Sequence, residues 1–88
     1  MREMLYFTAD WCGPCKMMRP IVSQIAEDNP GINIKFVNID NDEDITSKYD
    51  IQSVPTFVIQ EDGKEIRRHI GAVPRAKLES FMFGESNG

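Results

Sequence analysis

The stretch Trp11-Cys12-Gly13-Pro14-Cys15 restricts this chain most, because it stands where the β-prone segment MLYFT (residues 4–8) gives way to a helical repeat. A strand that hands over to a helix across so short a turn opens an α/β unit. From Pro14 onward, Met18, Val22 and Ile25 recur at helical spacing with Met17 and Ile21 beside them, and the pattern stops at EDNPG. Pro20 falls inside this helix, where it removes the bond to the Lys16 carbonyl and is expected to kink the first turns.

The remaining elements follow the same logic. INIKFVNID (residues 32–40) is rich in Ile, Val and Phe and predicts a second buried strand. Asp40, Asp42, Glu43 and Asp44 open a short helix through Tyr49, where carboxylates complement the positive end of the helix dipole. SVPTFVIQ and KEIRRHI predict two strands joined at Asp62-Gly63, an antiparallel hairpin ended by Gly71. Pro74 precedes a last helix carrying Leu78, Phe81 and Met82, and residues 84–88 are expected to fray. The order is β-α-β-α-β-β-α: an α/β fold with one mixed central sheet and helices on both faces. With 88 residues the chain has enough material for one domain, residues 1–88.

Composition removes several functions. A net charge of −4 argues against general nucleic-acid binding, and no apolar run is long enough to span a membrane. The first ten residues lack a signal-peptide pattern, so a cytoplasmic address is expected. In such a reducing compartment two thiols are better suited to cycling or metal binding than to a permanent staple. The bland alternative treats them as small buried hydrophobes.

The chemistry favours cycling. Cys12 falls at a helix start, where free backbone N–H groups and the dipole stabilise a thiolate, the species that attacks disulfides. Cys15 lies one turn further in, on the face of Met18 and Val22, and should be less exposed. Cys12 is therefore read as the nucleophile and Cys15 as the resolving thiol, with Gly13 and Pro14 permitting the turn and starting the helix. A zinc site needs four ligands, and beyond the two cysteines the chain offers only His69 and carboxylates. No metal is expected. His69 is read as an exposed strand residue, and Lys64, Arg67, Arg68, Arg75 and Lys77 as a solvated basic face. A calcium loop at DNDED fails, because Ile45 and Ile51 replace the required Gly and Glu.

Taken together, ADWCGPCKMMRP, VNIDND, YDIQSVPTF and IGAVPRAKLESFM resemble successive signature segments of the thioredoxin family over nearly the whole chain. The resemblance implies a thioredoxin-like fold in a minimal form, lacking the N-terminal strand and helix of full-length members, as in glutaredoxins and small archaeal or viral redox proteins. It implies that Cys12 and Cys15 are the redox pair, tuned by Trp11, Gly13, Pro14 and Lys16. Pro20 would be the helix kink and Pro55 the cis-proline. Trp11, Val54, Pro55, Gly71 and Ala72 would line, with Gly13 and Pro14, a groove that holds an extended peptide.

The implied activity is reduction of protein disulfides by a monomer that binds no cofactor and draws electrons from NADPH through a flavoprotein thioredoxin reductase. The alternatives are a glutathione-fed, glutaredoxin-like enzyme, which CGPC in place of a C-P-Y-C type motif disfavours, and a peptide-binding module without redox turnover. Three positions depart from the family. Its buried aspartate corresponds to Tyr6 and the lysine partner to Phe36, so the proton acceptor for Cys15 must be water or another group. Thr8 replaces a second tryptophan that many members carry.

Overall fold

The computed structural model describes residues 1–84, and the expected fraying of residues 85–88 lies outside them. Gly84 itself is held, since its carbonyl accepts from Arg2 and Arg67. The elements are β1 (Arg2–Thr8), α1 (Gly13–Asp28), β2 (Asn33–Asn38), α2 (Glu43–Lys48), β3 (Thr56–Glu61), β4 (Lys64–Ile70) and α3 (Arg75–Phe83). They form the expected mixed sheet in the order β2-β1-β3-β4, with β1 parallel to β2 and antiparallel to β3, and β4 antiparallel to β3.

Alternation along the central strands sends side chains to two cores. On one face Met4, Tyr6, Phe57 and Ile59 meet Met18, Val22 and Ile25 of α1 and Leu78 and Met82 of α3. Leu5, Phe7 and Val58 pack on the other face with Val37, and Ile45 and Tyr49 of the α2 region cover them. Each large side chain so buried contributes roughly 1.5–3 kcal/mol, which makes the first, larger cluster the main source of stability. The β3–β4 turn has positive φ at Asp62 (52°) and Gly63 (85°), as a two-residue type I′ hairpin requires.

Four expectations need correction. The second strand is not buried: β2 is a sheet edge, only Val37 of its residues is fully covered, and Phe36 is 41% exposed. Apolar content marked it as a strand, but strand order decides burial. The acidic run is divided as well, because α2 starts only at Glu43 and Asp40 lies outside it.

His69 is half-buried rather than exposed, with its ring 6.3 Å from that of Phe57 and 6.0 Å from that of Phe81. The basic residues also form no single face. A bulge between Ile59 and Gln60 sets the β4 register, so that Arg67 reaches the Phe81 and Gly84 carbonyls. Arg68 takes the opposite side, bonding the Tyr49 carbonyl and Glu65. Arg75 ties α3 to α1 through Asp28. Pro20 is exposed and α1 runs as one helix from Gly13 to Asp28, so the carbonyl that loses its partner lies towards solvent.

Candidate active site

β1 ends at Thr8, and Ala9 with its neighbours turns the chain into α1, the Cys12 N–H donating to the Ala9 carbonyl (3.2 Å). Cys12 is the N-cap of α1, with extended backbone, and Gly13 and Pro14 form the exposed first positions of the helix. The sulfurs of Cys12 and Cys15 are joined in a disulfide with Cα atoms 5.2 Å apart. The Cys15 N–H donates to Cys12 Sγ at 3.2 Å, so a helix-start amide is aimed at that sulfur. The expected difference in exposure is small in this oxidised form: Cys12 is 5% exposed and Cys15 1%.

The pair packs with Ala9 against Ile39, beyond β2, and Val54, which precedes β3. Both flanking segments lie at the sheet end where β1 hands over to α1. The Val54–Pro55 peptide bond is cis, and the Val54 carbonyl oxygen lies 3.7 Å from Cys12 Sγ. Pro55 is buried, and its carbonyl accepts from the Gly71 N–H at 2.8 Å. Gly71 has φ of 103°, a conformation that side chains rarely adopt, while the space around it is open. Cys12, Val54, Pro55 and Gly71 are thus linked in one strip of backbone, with Ala72 exposed beside Gly71.

Trp11 is 67% exposed, and its indole N–H donates to Asp40 (2.9 Å). Sequence reasoning had assigned Asp40 to the helix start and missed this anchor. The only available signal is that Asp40 lies just past the end of β2, two residues after Asn38. Lys16 is exposed and shares a cavity with Cys15. Tyr6 lies beneath α1 as its place on β1 predicts. It is fully buried, its hydroxyl donates to the Cys15 carbonyl (2.8 Å), and its ring stacks on Phe57 and meets Phe36 edge-on. Burial pushes the Tyr6 phenol above its ordinary value, with the Thr8 hydroxyl and Arg19 pulling it partly back.

A disulfide that closes one helical turn, reachable beside a strip of backbone, performs exchange chemistry, and the chain is a thiol–disulfide oxidoreductase. The thioredoxin family model matches residues 2–83, and the chain belongs to the thioredoxin family. It is 37% identical over 76 residues to a thioredoxin of Mycoplasmoides gallisepticum, covering 86% of this chain and 76% of that one. To a thioredoxin of Porphyra purpurea it is 43% identical over 77 residues, covering 86% and 72%. Among solved structures, Fasciola hepatica thioredoxin superposes with a TM-score of 0.86 at 36% identity, over 92% of this chain and 77% of that one. Oxidised mitochondrial thioredoxin 3 of Saccharomyces cerevisiae gives 0.83 at 33%, over 92% and 76%.

The position of Pro55 makes a direct prediction. Pro55→His would set an imidazole next to two sulfurs, a soft donor set, and should slow disulfide exchange about tenfold while raising zinc affinity of the reduced protein. Insulin-reduction rates and zinc titration check this; unchanged turnover with no gain in zinc binding would separate Pro55 from the pair.

Proposed function

We propose that Cys12 attacks the disulfide of a protein substrate and that Cys15 resolves the resulting mixed disulfide. The observation that carries this reading is the Cys15 amide directed at Cys12 Sγ at the N-cap of a 16-residue helix, because it favours negative charge on that sulfur rather than on Cys15. Trp11, Gly13, Pro14 and Lys16 surround the pair and tune it. A substrate strand lies along Val54, Pro55, Gly71 and Ala72, held through backbone groups, so that many sequences are accepted.

The protein works as a cytoplasmic monomer without a bound cofactor, and a flavoprotein thioredoxin reductase recharges it with electrons from NADPH. Its family membership supports this reductant over glutathione. The test supplies NADPH with thioredoxin reductase in one arm and NADPH with glutathione and glutathione reductase in the other. Insulin disulfide reduction should proceed in the first arm at a rate proportional to the concentration of this protein. Turnover in the second arm alone would assign it to the glutaredoxin type.

A further inference from the structure

The Cys15 thiol must lose a proton before it attacks, and the buried residue beneath it offers no base. Tyr6 donates its own proton to the Cys15 carbonyl, and burial makes its phenol harder to ionise. Cys15 does, however, form part of the wall of an open cavity of about 320 Å³. Thr8, Asp10, Lys16 and Arg19 also line it. That volume has room for on the order of ten water molecules.

None of the proposed groove residues lines this cavity. Among the charged side chains around it, Lys16 and Arg19 are donors only, and Asp10 alone carries a base. From β2 the neighbouring group is neutral Asn38, whose side-chain amide donates to Asp10 (3.4 Å). Asp40 is engaged by the Trp11 indole, and His69 is held between Phe57 and Phe81 on the sheet's far strand.

We infer that Asp10 is the general base of the resolving step, taking the Cys15 proton through water in this cavity. The inference rests on the resolving role of Cys15 proposed above. In the step, the Cys15 S–H proton passes through water to the Asp10 carboxylate, and the thiolate attacks Cys12 Sγ of the mixed disulfide. The Cys12–Cys15 bond forms, the bond from Cys12 to the substrate sulfur breaks, and the electron pair leaves on the substrate thiolate. The substrate disulfide has gained two electrons and the protein dithiol has lost two. Lys16 and Arg19 favour the transient negative charge on Cys15.

The two halves of the reaction separate when the reduced protein meets excess 5,5′-dithiobis(2-nitrobenzoate). Attack by Cys12 releases one thionitrobenzoate, and resolution by Cys15 releases a second. Asp10→Asn keeps the side-chain shape and should leave the first phase unchanged while slowing the second about tenfold at pH 7, below the full range for general bases because the proton travels through water. The second phase of the variant should then rise with pH as hydroxide takes over. Added formate should accelerate it, and Asp10→Glu should restore it.

A second phase in Asp10→Asn that matches the parent from pH 6 to 9 would overturn the assignment. So would slowing that neither formate nor Asp10→Glu relieves. Loss of a distinct second phase in Cys15→Ser is the control: if that variant still releases the second thionitrobenzoate, the resolving role of Cys15 fails, whatever Asp10 does.

Discussion

Cys12→Ser should abolish disulfide reduction, a loss on the order of a thousandfold or more, because a hydroxyl has neither the nucleophilicity nor the ionised fraction of a thiol at neutral pH. Cys15→Ser should behave differently. Cys12 keeps the amide of residue 15 as its partner, since that N–H belongs to the backbone. It should still attack, but with no second sulfur the mixed disulfide cannot be discharged within the molecule. Partner proteins should accumulate on Cys12 and be released by dithiothreitol. Non-reducing gels of each variant after exposure to oxidised substrate check the assignment. A trap that forms on Cys15 in Cys12→Ser would reverse the roles. Undiminished cellular function in both variants would leave only the peptide-binding reading, in which the same groove acts without redox turnover.

Features written in local chemistry were legible before the fold was. The N-cap position of Cys12, the start of α1 and the Asp62-Gly63 turn depend on residues within a few positions of one another. β1 and β3 were legible as short, nearly continuous apolar runs because both strands are central and buried on two faces. What was hidden depends on which strand became an edge and on contacts between distant segments. β2 carries the apolar content of a buried strand, yet its outer edge meets no other strand among the described residues.

Arg67 and Arg68 are adjacent in sequence, but the bulge and the pleat send them to opposite sides of the sheet, where each finds backbone carbonyls. His69 stands between Arg68 and Ile70 near the strand end, and only the arrival of α3 sets its ring against Phe81. Asp40 anchors Trp11 across 29 positions of sequence, a pairing that no local pattern encodes. The cavity beside Cys15 was hidden for the same reason, although the question it addresses was already posed by Tyr6.

Tyr6→Asp should be the most damaging single change outside the cysteines. Removing the ring takes away its stacking on Phe57 and its edge contact with Phe36, and a cavity at a fully buried aromatic costs about 3–5 kcal/mol. That is a large share of the 5–15 kcal/mol typical of native domains. The new carboxyl would sit in an apolar site, so its folded-state pKa should rise above the unfolded value. Between those two values the folded protein binds more protons than the unfolded one, and stability must fall as pH increases. The penalty therefore begins above about pH 4, the ordinary aspartate value, and grows until the folded-state pKa is passed.

Tyr6→Phe keeps the ring and loses only the bond to the Cys15 carbonyl, for a cost of about 1 kcal/mol and little change in activity. It should also differ from the parent at the alkaline end. The parent phenol is harder to ionise when folded than when unfolded, so above about pH 10 the unfolded state sheds a proton that the folded state keeps, and stability declines. Tyr6→Phe should lack that contribution. Denaturant midpoints from pH 5 to 11, with insulin reduction from pH 5 to 9, separate the three proteins. A large activity loss in Tyr6→Phe would place the hydroxyl in proton transfer, and a Tyr6→Asp midpoint that does not fall with pH would mean the carboxylate reaches water.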